Sequence, residues 1–198
     1  MKVGLFGGTF DPIHNGHIMV AETVLRKVDL AKVIFIPAGI PWLKEGRKIT
    51  SATHRLNMVE LAISGKSYFE LSKIEIERPG ATYTVDTLID FINETNNTEL
   101  YVIIGLDSLA DFPRWKDPQR LLSLCYLVVV PRPGYPLPDI QAMENEMPGL
   151  KTRLILLNAP EIDISSSEVR RRIEEGRSFK HLVPKSVAEY IQENGLYV

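Results

Sequence analysis

The tightest constraint on this chain lies in its first seventeen residues, where a short apolar run ends on two glycines and passes through a polar loop into a helix start. Val3, Leu5 and Phe6 read as a buried strand closed by Gly7-Gly8. Thr9, Asp11 and Pro12 are turn formers, and Asn15 is the predicted N-cap of the following helix. That helix carries Ile18, Val20, Ala21, Val24, Leu25 and Val28 at helical spacing. A helix start leaves N–H groups unpaired and presents the positive end of the macrodipole, so the loop before it favours anions. His14 and His17 add ring donors there, and Gly7 and Gly8 let a ligand approach the backbone closely. The stretch is predicted to cradle the phosphates of a nucleotide. Two familiar phosphate motifs are absent: Gly4-Leu5-Phe6-Gly7-Gly8 lacks the G-x-G-x-x-G spacing, and Gly65-Lys66-Ser67 has Glu60 where a P-loop needs glycine.

Downstream, strand and helix patterns alternate. Strands are predicted at 32–37, 68–77, 99–104, 127–130 and 153–157. Helices are predicted at 52–64 (Leu56, Val59, Leu61 and Ile63 apolar at helical spacing), 83–93 (capped by Thr82), 165–175 and 185–192, with two short helical pieces flanking Pro113-Arg114-Trp115. Residues 131–148, rich in Pro, Gly and acidic groups, read as an exposed excursion. The pattern implies an α/β fold, a doubly wound parallel sheet with helices on both faces. The 198 residues suffice for one well-buried domain, 1–198, and are few for two. In such sheets ligands sit at the carboxyl ends of the strands, so the loops after Phe6, Pro37, Ile104 and Val130 are expected to converge.

A net charge of −2 gives no general attraction to nucleic acid or anionic membrane, so any anion site must be local. No secretion signal and no apolar window approaching ~20 residues is visible, which makes the expected compartment the cytoplasm. The single cysteine, Cys125, lies in an apolar run and reads as a buried structural thiol.

A second anion signal lies at Ile164-Ser165-Ser166-Ser167-Glu168-Val169-Arg170. Ser165 with Glu168 fits a capping box, so a helix starts here with free N–H groups and the hydroxyls of Ser166 and Ser167 in its first turn. Arg170 follows about one turn on, and a guanidinium can hold phosphate oxygens through two parallel bonds. The bland alternatives are a capped helix with a solvated basic face here and, for His14 and His17, a metal pair without a clustered third ligand. Asp11 reads chiefly as a turn residue, Trp115 either as a core plug or as a ring wall, and Lys44 and Lys48 either as ligand contacts or as solvated loop charges.

Residues 7–17 and 164–170 together resemble the nucleotidyltransferase superfamily marked by an H-x-G-H loop and an I-S-S-[ST]-x-x-R helix start, and the order of motifs matches over nearly the whole chain. Arg78-Pro79-Gly80-Ala81-Thr82-Tyr83-Thr84-Val85-Asp86-Thr87-Leu88, Gly105-Leu106-Asp107 and the ending with Val183-Pro184-Lys185, Tyr190-Ile191 and Leu196-Tyr197 are similar to the bacterial nicotinate-nucleotide adenylyltransferases. The resemblance implies a Rossmann-like fold and an enzyme of NAD biosynthesis that makes nicotinate adenine dinucleotide and pyrophosphate from ATP and nicotinate mononucleotide. Another phosphorylated acceptor, such as nicotinamide mononucleotide or phosphopantetheine, is the alternative. It further implies catalytic roles for His14, His17 and Arg170, and ATP contacts from Gly7, Gly8, Thr9, Phe10, Gly105, Asp107, Ile164, Ser166 and Ser167. Lys44 and Arg132 would hold the mononucleotide phosphate, Thr84 and Trp115 would frame the nicotinate ring, and Thr9 and Asp107 would touch both substrates. Mg2+ is implied with ATP, no protein-held metal is implied, and a homo-oligomer is compatible with the family. Two positions depart from the family pattern: Trp42-Leu43-Lys44 replaces Pro-His-Lys, and Trp115-Lys116 replaces Trp-Tyr.

Overall fold

The computed structural model describes residues 1–41, 49–95, 97–158 and 163–198. Its strands are β1 (Lys2–Gly8), β2 (Lys32–Pro37), β3 (Ile40–Pro41), β4 (Phe69–Leu71), β5 (Ala81–Thr82), β6 (Glu99–Gly105), β7 (Cys125–Val130) and β8 (Leu154–Leu156). Its helices are α1 (Asn15–Val28), α2 (Ala52–Ile63), α3 (Ile74–Glu77), α4 (Thr84–Glu94), α5 (Leu106–Asp111), α6 (Pro118–Leu124), α7 (Ile140–Glu146), α8 (Leu150–Arg153), α9 (Ser166–Glu174) and α10 (Lys185–Glu193).

Six strands form one sheet in the order β4-β2-β1-β6-β7-β8, every pair parallel, and β3 and β5 form a separate two-stranded parallel patch. The chain therefore winds outward from β1 in one direction and then from β6 in the other, and the order reverses between them. That reversal opens a crevice beyond the carboxyl ends of β1 and β6.

Period-two alternation along the strands explains the two cores. Phe6, Val33, Phe35, Tyr101, Ile103, Val128 and Val130 face one side and pack with α1, α2, α9 and α10. Val3, Leu5, Ile34, Ile36, Leu100, Val102, Ile104, Leu127 and Val129 face the other, against residues of α4 to α8 such as Leu88, Leu109, Leu121 and Leu150. Each large side chain fully buried this way contributes about 1.5–3 kcal/mol.

Several elements differ from the sequence expectation. The predicted strand 68–77 is β4 followed by α3: the Ser72 N–H bonds the Phe35 carbonyl, and the Lys73 carbonyl then takes the N–H groups of Ile76 and Glu77, turning the chain. Thr82 belongs to β5, and Tyr83 is the residue at the α4 N-cap. The α2 face turned inward is Arg55, Met58, Val59, Ala62 and Ile63, while Leu56 and Leu61 are half-buried. The stretch 131–148 is not wholly exposed, since α7 buries Met143 and Met147 follows it into the core. Cys125 is buried as expected, and desolvation pushes its thiol up to about 12.

Candidate active site

The phosphate loop leaves β1 at Gly8 and enters α1 at Asn15. Gly8 is required on packing grounds, because a Cβ there would lie 2.9 Å from the Phe10 ring, whereas a Cβ on Gly7 would meet no protein atom within 4 Å. Phe10 is buried with φ of 49° and packs edge-on to Phe6 and His17, with ring centroids 5.7 and 5.0 Å apart. The N-cap of α1 is His14, not Asn15, whose amide instead donates to the His181 carbonyl at 3.0 Å.

The rings of His14 and His17 stack with centroids 3.6 Å apart. The His14 N–H donates to His17 Nδ1 at 3.2 Å, so the Nε2 of a neutral His17 carries its ring hydrogen. His14 is buried; desolvation and then the Arg132 charge push its pKa down to about 3, leaving it neutral near pH 7.

The second helix start has the expected serine cap, while the Glu168 carboxylate turns to Arg171 and Arg172 and leaves the capping box half made. Ser165 caps α9, its hydroxyl accepting from the Glu168 N–H at 3.2 Å. Ser166 Oγ donates to the Pro12 carbonyl at 2.9 Å, and Arg170 Nη1 donates to the Asp11 carbonyl at 2.6 Å. Helix α9 is thereby fastened to the phosphate loop, with Arg170 Nη2 also reaching Ser167 Oγ at 3.5 Å.

These parts line one cleft of about 590 Å³ at the sheet's switch point, a volume suited to a small ligand. Gly7, Gly8, Thr9, Phe10, His14 and His17 contribute from the first loop and helix start, and Ile164, Ser166, Ser167 and Arg170 from the second. Gly105, Asp107 and Arg132 line it at the ends of β6 and β7, and Thr84 and Trp115 line it as well. The predicted site residues thus come together, except Lys44, which with Trp42 and Leu43 lies outside the described residues.

Three buried side-chain atoms have no hydrogen-bond partner among the described residues: His14 Nδ1, Asp107 Oδ1 and Trp115 Nε1. All three residues line the cleft. Buried polar atoms are normally paired, so a shared cavity bordered by three unpaired ones is suited to a polar ligand. Arg132 Nη1 donates to Asp107 Oδ2 in a close ion pair across the loops after β6 and β7. Trp115 packs on Phe112 with ring centroids 5.5 Å apart, so its ring is both core plug and cleft wall. Lys116 Nζ lies 2.8 Å from Asp86 and 4.6 Å from the centre of the Tyr83 ring.

Sequence reasoning missed three parts of the site. Asp11 is no mere turn residue: its buried carboxylate accepts from the Tyr197 hydroxyl at 2.6 Å and from the Thr50 N–H at 3.3 Å. Arg55, 2% exposed, donates to the carbonyls of Thr50, Thr9 and Gly39, tying the phosphate loop to the loop after β2. Its place on the inward face with Met58 and Val59 was the available signal. Glu75 is buried at the cleft edge and accepts from Thr87 Oγ1 at 2.9 Å, and burial pushes its carboxyl above the usual range.

The cytidylyltransferase-like family profile matches residues 5–172. A probable nicotinate-nucleotide adenylyltransferase of Dehalococcoides mccartyi is 50% identical over 198 residues, covering 100% of this chain and 97% of its own. One from Thermomicrobium roseum is 44% identical over 196 residues, covering 99% and 91%. The fold is similar to that of Plasmodium falciparum nicotinic acid mononucleotide adenylyltransferase, solved in complex with nicotinate adenine dinucleotide, with a TM-score of 0.81 at 22% identity over 99% of this chain and 97% of that one. On this evidence of sequence and fold, the chain belongs to the cytidylyltransferase-like family and, within it, to the nicotinate-nucleotide adenylyltransferases.

Proposed function

We infer that the chain transfers the adenylyl group of ATP to nicotinate mononucleotide, yielding nicotinate adenine dinucleotide and pyrophosphate for NAD biosynthesis. The observation that carries this reading is the meeting of two equipped helix starts, at His17 and at Arg170, on one cleft. The relatives named for this activity support the choice of acceptor.

The acceptor phosphate is already an anion near pH 7, its second pKa being about 6, and attacks the α-phosphorus of ATP without a general base. What the reaction needs is two polyanions held in line and stabilisation of charge moving onto pyrophosphate. In this reading His17 Nε2–H and the single N–H of neutral His14 donate to the phosphates at the reacting end. The α9 N-terminus, Ser166, Ser167 and Arg170 receive the β and γ groups, Arg170 keeping its Nη1 bond to the Asp11 carbonyl and turning its remaining N–H groups to phosphate oxygens. Gly7 and Gly8 leave room for the nucleotide, Thr9 and Phe10 border the reacting phosphates, and Ile164 and Gly105 border the adenosine. Asp107 accepts from ribose hydroxyls, for which its unpaired Oδ1 is suited. Arg132 and Lys44 hold the acceptor phosphate, and Thr84 and Trp115 flank the pyridine ring.

Among the described residues no three His, Cys, Asp or Glu side chains cluster as a metal cage. Magnesium would arrive with the ATP substrate, held by its phosphates and by water, and neutralise their charge. The whole chain, 1–198, acts in this reading as one domain whose C-terminal helices complete the ATP site. No described helix is long and apolar enough to cross a membrane.

The test is a panel of acceptors with ATP and magnesium, reading pyrophosphate release. Nicotinate mononucleotide should be the fastest; turnover only with phosphopantetheine or with a cytidylyl donor would overturn the assignment.

A further inference from the structure

Asp11, which lines the cleft, lies at the meeting point of three segments far apart in sequence. Its backbone carbonyl accepts from Arg170 of α9 at 2.6 Å. Its carboxylate accepts from the Thr50 N–H at 3.3 Å, where the loop after β2 rejoins α2. Its other carboxylate oxygen accepts from the hydroxyl of Tyr197, 186 residues away, at 2.6 Å. Tyr197 has a left-handed backbone with φ of 65°, a conformation a non-glycine residue adopts only when its surroundings hold it there. Burial and the Asp11 hydrogen bond raise the phenol pKa, so it stays a donor throughout the working pH range.

A buried carboxylate needs donors on each oxygen. Thr50 serves one and Tyr197 the other, which fixes the plane of the carboxylate and the backbone that carries it. The carbonyl of that same residue sets where the Arg170 guanidinium waits before ATP enters. The neighbouring carbonyl of Pro12 does the same for Ser166.

We propose that Tyr197 and Asp11 form a positioning pair for adenylyl transfer: Tyr197 orients the Asp11 carboxylate, and Asp11 in turn aims Arg170 at the leaving pyrophosphate. This rests on the reading of Arg170 as a triphosphate ligand. Neither residue touches the reacting atoms. Their effect passes through Arg170 and concerns the chemical step more than the assembly of the fold.

The experiment is a kinetic double-mutant cycle on the full chain, with each variant first checked for an unchanged circular-dichroism spectrum and assayed well below its melting temperature. Tyr197→Phe keeps the ring and removes the hydroxyl that donates to Asp11. It should lower kcat at least fivefold while the KM for each substrate changes less than twofold. In an Arg170→Ala background the same substitution should change kcat less than twofold, because the group through which it acts is gone. Asp11→Asn, which sets an amide donor against the Thr50 N–H or the phenol, should reproduce the kcat loss and likewise fall silent without Arg170. Wild-type kcat in Tyr197→Phe, or losses that multiply with Arg170→Ala, would overturn the positioning role. Wild-type activity in Arg170→Ala alone would instead overturn the triphosphate site on which it rests. A Tyr197→Phe chain that loses stability yet keeps kcat per folded molecule would assign the bond to folding only, and would also defeat the proposal.

Discussion

His14 shows how one residue links burial to chemistry. Its neutral state follows from desolvation and the nearby Arg132 charge, and it makes the ring a donor of one hydrogen instead of a cation. The same shift fixes a pH dependence. Above pH 6.5 neither the folded nor the unfolded chain protonates this ring. Between 6.5 and about 3 the unfolded chain takes up a proton that the native chain refuses, so stability falls as pH drops, by up to about 1.4 kcal/mol per pH unit. Glu75, raised by burial, acts in the opposite sense at acid pH, because the native chain protonates it first. Urea unfolding at pH 7 and pH 5 should therefore show a larger loss in the wild type than in His14→Asn, and equal losses would refute the buried neutral imidazole. For His17, replacement by alanine should lower kcat at least tenfold, about 1.4 kcal/mol in the barrier, with the fold retained. Unchanged turnover would remove its assigned contact. Both histidines were legible in the sequence from the glycine turn and the helix start behind it. Glu75 was not, and Arg55 offered only its helical spacing from Met58 and Val59, because a charged residue on an inward face declares its role only once the carbonyls or hydroxyls that satisfy it have been placed.

Elements with strong local signals came out where the pattern put them. Strands β1, β2, β6 and β7 carry the apolar runs, and α9 carries its cap in Ser165, while the Glu168 carboxylate pairs with Arg171 and Arg172 instead of closing the capping box. The failures lie where a tertiary bond decides. The segment 72–77 alternates like a strand, but the Ser72 N–H is taken by Phe35 and the chain turns into α3, which brings Glu75 under Thr87. Asn15 has the better capping side chain, yet His14 occupies the cap. The turn into α3 also explains Gly39: a Cβ there would lie 2.1 Å from the Glu75 carbonyl oxygen. Gly39→Ala must push α3 from the end of β2 and should cost about 1–3 kcal/mol in urea unfolding, as overpacking does. A neutral substitution would mean that α3 yields without cost.

For the whole molecule, the doubly wound sheet and the convergence of four loops at its carboxyl edge follow from alternation and connection rules alone. The pairing of Arg132 with Asp107 and the anchoring of Asp11 by Tyr197 do not, since both depend on side-chain distances that only the packed molecule sets.

The reversal of strand order has a consequence for how the enzyme comes into being. Strands β1, β2 and β4 are joined by crossovers close in sequence, and so are β6, β7 and β8, but the seam between the two sets pairs Lys2 with Glu99. Loop closure favours near neighbours, so each half can order itself before the seam zips. The cleft straddles that seam, lined by Gly7, Gly8, His14 and His17 from the β1 half and by Gly105, Asp107 and Arg132 from the β6 half. Competence should thus arrive in the last docking event. In pulse-labelled refolding, amides on the β1–β6 border should gain protection after those of β1–β2 and β6–β7, together with the first ability to bind ATP; protection of all three borders at once would contradict that order.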